Sequence, residues 1–186
     1  MQEKENIQRI LEGTLKEIKR EDSIRLKELS NKTIHTASIS QDPDNIAIAV
    51  IIYSLSKIIE RVDYRKKPGW DKFYNGIVME IQHSIDSIKK NDETHLRIHI
   101  EGLRKRIGGA TGKLKKYIQD VLFKAKINKA SRIYEHGISM EKTARLLGIT
   151  MWDLANYAGQ TGIGDVRLGR TMNVKDRIRL AMELFK

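Results

Sequence analysis

An all-α protein is predicted from three features of this 186-residue chain. Isoleucine and leucine recur at helical spacing through nearly every long segment. Only two prolines interrupt the backbone. Asp, Asn, Thr and Gly stand where helices would start and stop. Aromatic residues make up just 6% of the chain, so aliphatic side chains must fill the core. The expected architecture is an N-terminal helical bundle followed by a small helical C-terminal domain containing a helix-turn-helix. The divisions fall at residues 1–107, a glycine-rich hinge at 108–112, and 113–186.

Taken in order, residues 3–30 read as one long amphipathic helix carrying Ile7, Ile10, Leu11, Leu15, Ile18, Leu26 and Leu29 on its apolar stripe. That stripe suits the chain's own core first and a partner helix second, and a homodimer formed through the N-terminal helices is expected. Residues 31–41, rich in Thr, Ser and His, break the pattern. Asp42-Pro43-Asp44 then marks a helix start, with Asp42 as N-cap and Pro43 in the first turn. The helix from there to about Tyr64 is apolar nearly all round between Ile46 and Ile59, which suits the centre of a bundle. Residues 63–69 form a loop whose Arg65-Lys66-Lys67 cluster is within reach of a phosphate. Residues 70–90 are a clean amphipathic helix (Trp70, Phe73, Tyr74, Ile77, Ile81, Ile85, Ile88). The next helix starts at Asp92 or Thr94 and carries Leu96, Ile100, Leu103 and Ile107. These pieces make residues 1–107 resemble a four-helix bundle.

Gly112-Lys113 is not a phosphate loop: Ile107 stands where the loop glycine belongs and Leu114 where Ser or Thr belongs. Residues 113–126 form a basic helix, and 128–136 a further one closed by Gly137. Residues 161–171 are a Gly-rich loop with Arg167 and Arg170 near its end. Asn173 caps a last helix with Val174, Ile178, Ala181 and Phe185 inward. No internal repeat is apparent.

Charge is the strongest functional signal. The net charge is +11, but residues 1–101 hold 17 Lys/Arg and 17 Asp/Glu and are neutral. Residues 102–132 hold ten Lys/Arg against one acid, Asp120. An ordinary surface intersperses its signs, so this strip points to a polyanionic partner, nucleic acid ahead of acidic protein or membrane. The residues expected on a nucleic-acid backbone are Arg104, Lys105, Arg106, Lys113, Lys115, Lys116, Lys124, Lys126, Lys129 and Arg132. Lys142, Arg145, Arg167 and Arg170 lie further along the chain and complete the set.

Other classes find little. Cysteine is absent, which excludes disulfides and thiolate chemistry and fits a reducing, cytoplasmic setting. No secretory leader opens the chain, and the apolar stretch at 46–59 is too short for a membrane span. His95 and His99 share a helical face, but no third ligand accompanies them, so no metal is expected. No catalytic signature is present and no cofactor is implied. The chain is expected not to be an enzyme.

The helix-turn-helix is read from residues 139–159 (SMEKTARLLGITMWDLANYAG). Ala144 allows close helix crossing, Gly148 supplies a positive φ for the turn, and Thr150 with Asp153 makes an approximate capping box. The run at 130–164 resembles the helix-turn-helix of prokaryotic transcription regulators, and is particularly similar to small antitoxin-like proteins in which a helix, Gly137, Ile138 and Ser139 lead into the pair. The resemblance covers under a fifth of the chain. It implies DNA binding, with the second helix in the major groove and Thr150, Met151, Trp152, Ala155 and Asn156 facing base edges. The pattern departs from the family at one point: residues 150–160 contain no Lys or Arg, so Arg-to-guanine pairing is missing. The motif makes DNA the favoured partner, whereas the uncharged second helix and the concentrated charge favour RNA. An RNA- or ribosome-associated factor recognising shape and phosphates is the alternative, and a protein-interaction module a further one.

Overall fold

The structure is a computed structural model. It describes the backbone of residues 4–40, 42–108, 112–135 and 138–161, and the side chains of the same residues except 37–40, 112–114, 117 and 161. Among the described residues there are nine α-helices and no strand, as the all-α reading requires. They are α1 (Lys4–Arg20), α2 (Ser23–Ser40), α3 (Pro43–Ile59), α4 (Val62–Arg65), α5 (Trp70–Lys89), α6 (Glu93–Gly108), α7 (Gly112–Glu135), α8 (Met140–Leu147) and α9 (Met151–Thr161). Among the described residues no helix is long and apolar enough to cross a membrane. The last helix expected from Asn173, and Gly137 as a cap, lie outside the described residues.

The first helix is the main departure from expectation. It stops at Arg20 because Glu21 takes a left-handed φ of 59°. Asp22 then restarts the chain, its Oδ1 accepting from the Arg25 amide at 2.9 Å. The stretch at 31–41 that reads as a break is the second half of α2, to Ser40. Two hydroxyls at or just before its start are satisfied within the fold rather than breaking the helix. Thr33 donates to the Leu29 carbonyl one turn back (2.8 Å), and Ser30 donates across to the Ala49 carbonyl on α3 (2.7 Å). The apolar face of α1 is consumed internally, with Ile7, Ile10, Leu11 and Ile18 buried in the core, so the stripe expected to meet a partner helix is already covered.

The chain also repeats itself, which the sequence reading missed. The α5–α6 turn copies the α1–α2 turn seventy residues later. Asn91 takes a φ of 56° where Glu21 takes 59°. Asp92 caps α6 through the His95 amide at 3.0 Å, as Asp22 caps α2. Ile7/Ile77, Leu11/Ile81, Ile18/Ile88 and Leu26/Leu96 are buried pairs at that offset. Even the buried hydroxyls correspond: Thr14 donates to the Ile10 carbonyl (2.7 Å) and Ser84 to that of Glu80 (2.8 Å). Any residue fits this turn type best if it tolerates left-handed backbone, and Asn does so better than Glu.

α3 begins where expected, with Asp42 accepting from the Asp44 amide at 2.9 Å. It is buried over most of its surface, with a partly exposed strip at Asp44, Ala47, Tyr53 and Lys57, and belongs to both apolar clusters of the molecule. The larger cluster joins α3 (Ile51, Ile52, Leu55, Ile58) to α1, α2, α5 and α6, and takes in Ile118 and Val121 of α7. The smaller joins Ile34 of α2 and Ile46, Ala49 and Val50 of α3 to Ala125, Ala130 and Ile133 of α7, and to Ile138, Leu147 and Leu154. Segments expected to be separate on either side of 108–112 thus share their interior. Arg65, offered above as a phosphate contact, is used within the fold: it pairs with Glu21 and donates to the Ile59 carbonyl at 3.1 Å.

α7 runs unbroken through the point where two helices were expected. The reason is Lys129. Its position continues the stripe Ile118, Val121, Ala125 to Ile133, and it is fully buried, with 0% of its surface exposed. A lysine on the stripe disguises the periodicity as a helix end.

Candidate nucleic-acid interface

α8 and α9 form a tight helical pair. Ser139 caps α8, accepting from the Lys142 amide at 3.3 Å. Gly148 ends it at a φ of 59°, and the Ile149 amide returns to the Ala144 carbonyl at 3.1 Å. Ala144 is buried at the crossing. Thr150 and Asp153 then make a full capping box: the Asp153 amide donates to Thr150 Oγ1 at 3.0 Å, and the Thr150 amide to Asp153 Oδ2 at 3.1 Å. Leu147, Leu154 and Ala158 turn inward.

Of the side chains expected to face bases, Met151 and Trp152 are exposed at 50% and 79%, large apolar surface to leave in water. Asn156 is exposed too, Ala155 is half-buried, and the Thr150 hydroxyl is engaged, donating to Asp153 Oδ2 at 2.7 Å. Asn156 lines a groove between α9, α7 and the C-terminal half of α3. Its charges balance, with Lys57, Arg61 and Lys124 against Glu60, Asp120 and Asp153.

A second cleft, of about 700 Å³, opens between the start of α3, α6, α7 and the end of α8. Its floor is apolar (Ile46, Val50, Ile51, Ile100, Leu122, Leu147). Arg97, Arg104, Lys105, Lys126 and Arg145 stand around it, against the carboxylates of Asp44 and Glu101. Arg97 pairs with Asp44 (3.0 Å), Arg104 with Glu101 (3.3 Å), and Arg145 with Glu141 (2.7 Å). Exposed pairs of this kind contribute little and are readily exchanged for a better anion. Lys105 and Lys126 have no carboxylate partner among the described residues. Burial, with the Arg104 charge adding to it, pushes the Lys126 ammonium below the ordinary lysine range. Crowded cations in a partly dry cleft are a place where an anion is favoured.

The rest of the cationic strip is divided. Lys124 lies on the other side of α7 with Asp120 (2.8 Å), and Arg132 pairs with Glu135 (3.3 Å). Arg106 turns to Glu80 (3.0 Å). Lys115, Lys116 and Lys142 are exposed. The Lys113 side chain, Arg167 and Arg170 lie outside the described residues.

Lys129 is a correction: it cannot meet a phosphate. Its Nζ donates to Asn31 Oδ1 at 2.8 Å and sits 4.3 Å from the Tyr53 ring centroid. Burial, with the Arg132 and Lys27 charges adding to it, lowers its pKa to about 7. Arg97, conversely, lies outside the run of densest charge, yet its spacing from Glu101 and Arg104 places all three on one face of α6. Of the two histidines considered for a metal, His95 turns to Asp92 (2.6 Å) and His99 to Glu80 (2.9 Å), so they do not converge.

The surface so defined belongs to an all-α protein carrying a cationic cleft beside a short helical pair. No protein-family model, curated protein or solved structure matches the chain.

Proposed function

We propose that this is a nucleic-acid-binding protein that docks phosphates along the α3/α6/α7/α8 cleft. In this reading α8–α9 serves as the helix-turn-helix of a DNA-binding transcription regulator or antitoxin-like protein. The observation that carries it is the convergence of five cations from three helices on one cleft, three of them paired with carboxylates (Asp44, Glu101, Glu141) and Lys105 and Lys126 left over among the described residues. Phosphate contacts fix register while base edges supply specificity. Met151, Trp152 and Asn156 are the side chains that remain to read them.

The test is fluorescence anisotropy on labelled duplex DNA across a salt series. With about four phosphates neutralised, log K falls against log salt with a slope near −3.6. Replacing Lys105 and Lys126 together by Gln reduces the slope by about two units, on every sequence alike. An unchanged slope refutes the cleft.

One observation favours structured RNA as the second reading. The exposed start of α9 carries no cation, and Thr150 is committed to its capping box, whereas the charge lies toward α6 and α7. RNA duplexes are read by shape and backbone. Asn156→Ala separates the two: a changed sequence preference supports base reading, and an unchanged one supports RNA. Crosslinking and sequencing what copurifies from cells then names the target class, and recovery of no nucleic acid would sink both readings in favour of a protein-interaction module.

A further inference from the structure

A polar cluster on the α5–α6 hairpin stands apart from the cationic cleft. Glu80 and His83 are three residues apart on α5 and share a face, and His99 stands opposite on α6. The rings of His83 and His99 are 5.0 Å apart, and Glu80 Oε2 is 2.9 Å from His99 Nδ1. One ligating atom from each of the three lies within 4.8 Å of the others. A tetrahedral ion with metal–ligand bonds of about 2.0–2.1 Å holds its donors roughly 3.4 Å apart. Reaching that spacing takes a slight opening of the His99–Glu80 pair from 2.9 Å and a swing of the exposed His83 ring toward it.

We propose that Glu80, His83 and His99 form a binding site for a divalent transition metal of the Zn²⁺ class. Two further features point the same way. Arg106 Nε holds the other carboxylate oxygen, Oε1, at 3.0 Å, which orients Oε2 toward the histidines as an outer-shell partner does. The helices are also cleared for these groups. A methyl at Gly102 would come within 2.9 Å of the Glu80 carboxylate, and one at Gly76 within 2.5 Å of the Arg106 guanidinium. The donor set, two imidazoles and one carboxylate, suits Zn²⁺, Co²⁺ or Ni²⁺ rather than Ca²⁺ or Mg²⁺, which take oxygen. Three protein donors leave a fourth position for water or an anionic oxygen. An ion here ties α5 to α6.

The test uses the full chain stripped of metal with a chelator and titrated with Zn²⁺ alone, then with Co²⁺ as a spectroscopic stand-in. One equivalent saturates the chain, Co²⁺ gives the visible bands of a four-coordinate site, and the thermal midpoint climbs with Zn²⁺ concentration. His83→Ala, at an exposed position outside the apolar core, and His99→Ala both lose binding. His95→Ala, one turn away, keeps it. The proposal is overturned if no saturable binding occurs, which would leave the cluster an internal Glu–His–Arg ion network. It is equally overturned if His83→Ala binds as the parent does, or if His95→Ala loses binding to the same extent.

Discussion

Replacing Lys129 by Met isolates the effect of a lysine sealed inside a helical bundle. The unfolded chain holds the Lys129 proton up to a pKa of 10.5, and the folded chain only to about 7. The sign follows from proton counting. Between those values the unfolded state carries one more proton, so the stability of the parent rises with pH. Below pH 7 both states are charged and this contribution is flat, with the full cost of burying the ammonium in place. Each pH unit in the window is worth about 1.4 kcal/mol, or on the order of 4 kcal/mol from pH 7 to pH 10. Met fills the same volume without a charge, and Asn31, being exposed, recovers its lost partner from water. Lys129→Met is therefore more stable at pH 7 by a few kcal/mol, and its advantage shrinks steadily toward pH 10. Urea unfolding of both proteins at half-unit pH steps measures the difference directly. Parallel curves would show that the native ammonium reaches solvent and that the reasoning is wrong.

Further outcomes are expected. Gly148→Ala should cost about 1–2 kcal/mol, since its φ of 59° is open in space but strained for a side chain; Gly148→Asn should cost less, and equal losses would contradict that cause. Asn45 is buried, and among the described residues neither end of its amide has a partner. Asn45→Leu should raise the urea midpoint by the equivalent of about 1–3 kcal/mol, and a lower midpoint would mean a partner exists. Thr150→Ala should destabilise by about 1 kcal/mol through the lost cap while leaving the salt dependence of DNA binding untouched; a shallower salt slope would assign the hydroxyl to phosphate instead. Trp152→Ala should leave stability within about 0.5 kcal/mol, because the ring is exposed, and a larger loss argues against that placement.

Most of the element plan was legible because its signals are local. Asp42-Pro43, the stripe of α5, Asp92, and the Ser139/Gly148/Thr150 punctuation each specify a backbone state within a few residues. The α1–α2 break was legible too, in the shared run from Ile18 to Leu26 and from Ile88 to Leu96, but only by comparing the chain with itself. Lys129 was misread for a physical reason: side-chain type normally reports burial, and a fully buried lysine held by a hydrogen bond to Asn31 defeats that rule. The charge count located the cationic stretch along the chain but not around the helix. Lys124 and Lys126 differ by two residues, some 200° of helical rotation, and so face different grooves. Helical spacing puts Arg97 on the α6 face of Arg104, but that this face borders a cleft follows only from packing against α3 and α7.

α3 lies in both hydrophobic interiors, and the charged cleft straddles the seam between what comes before and after the glycine-rich connection. Cutting the chain there would not release two working halves: the first would bare Ile46, Ala49 and Val50 to water, and the second would lose the wall it leans on. Whatever anion settles in the cleft grips both sides of the seam at once, so occupancy and resistance to unfolding must rise and fall together.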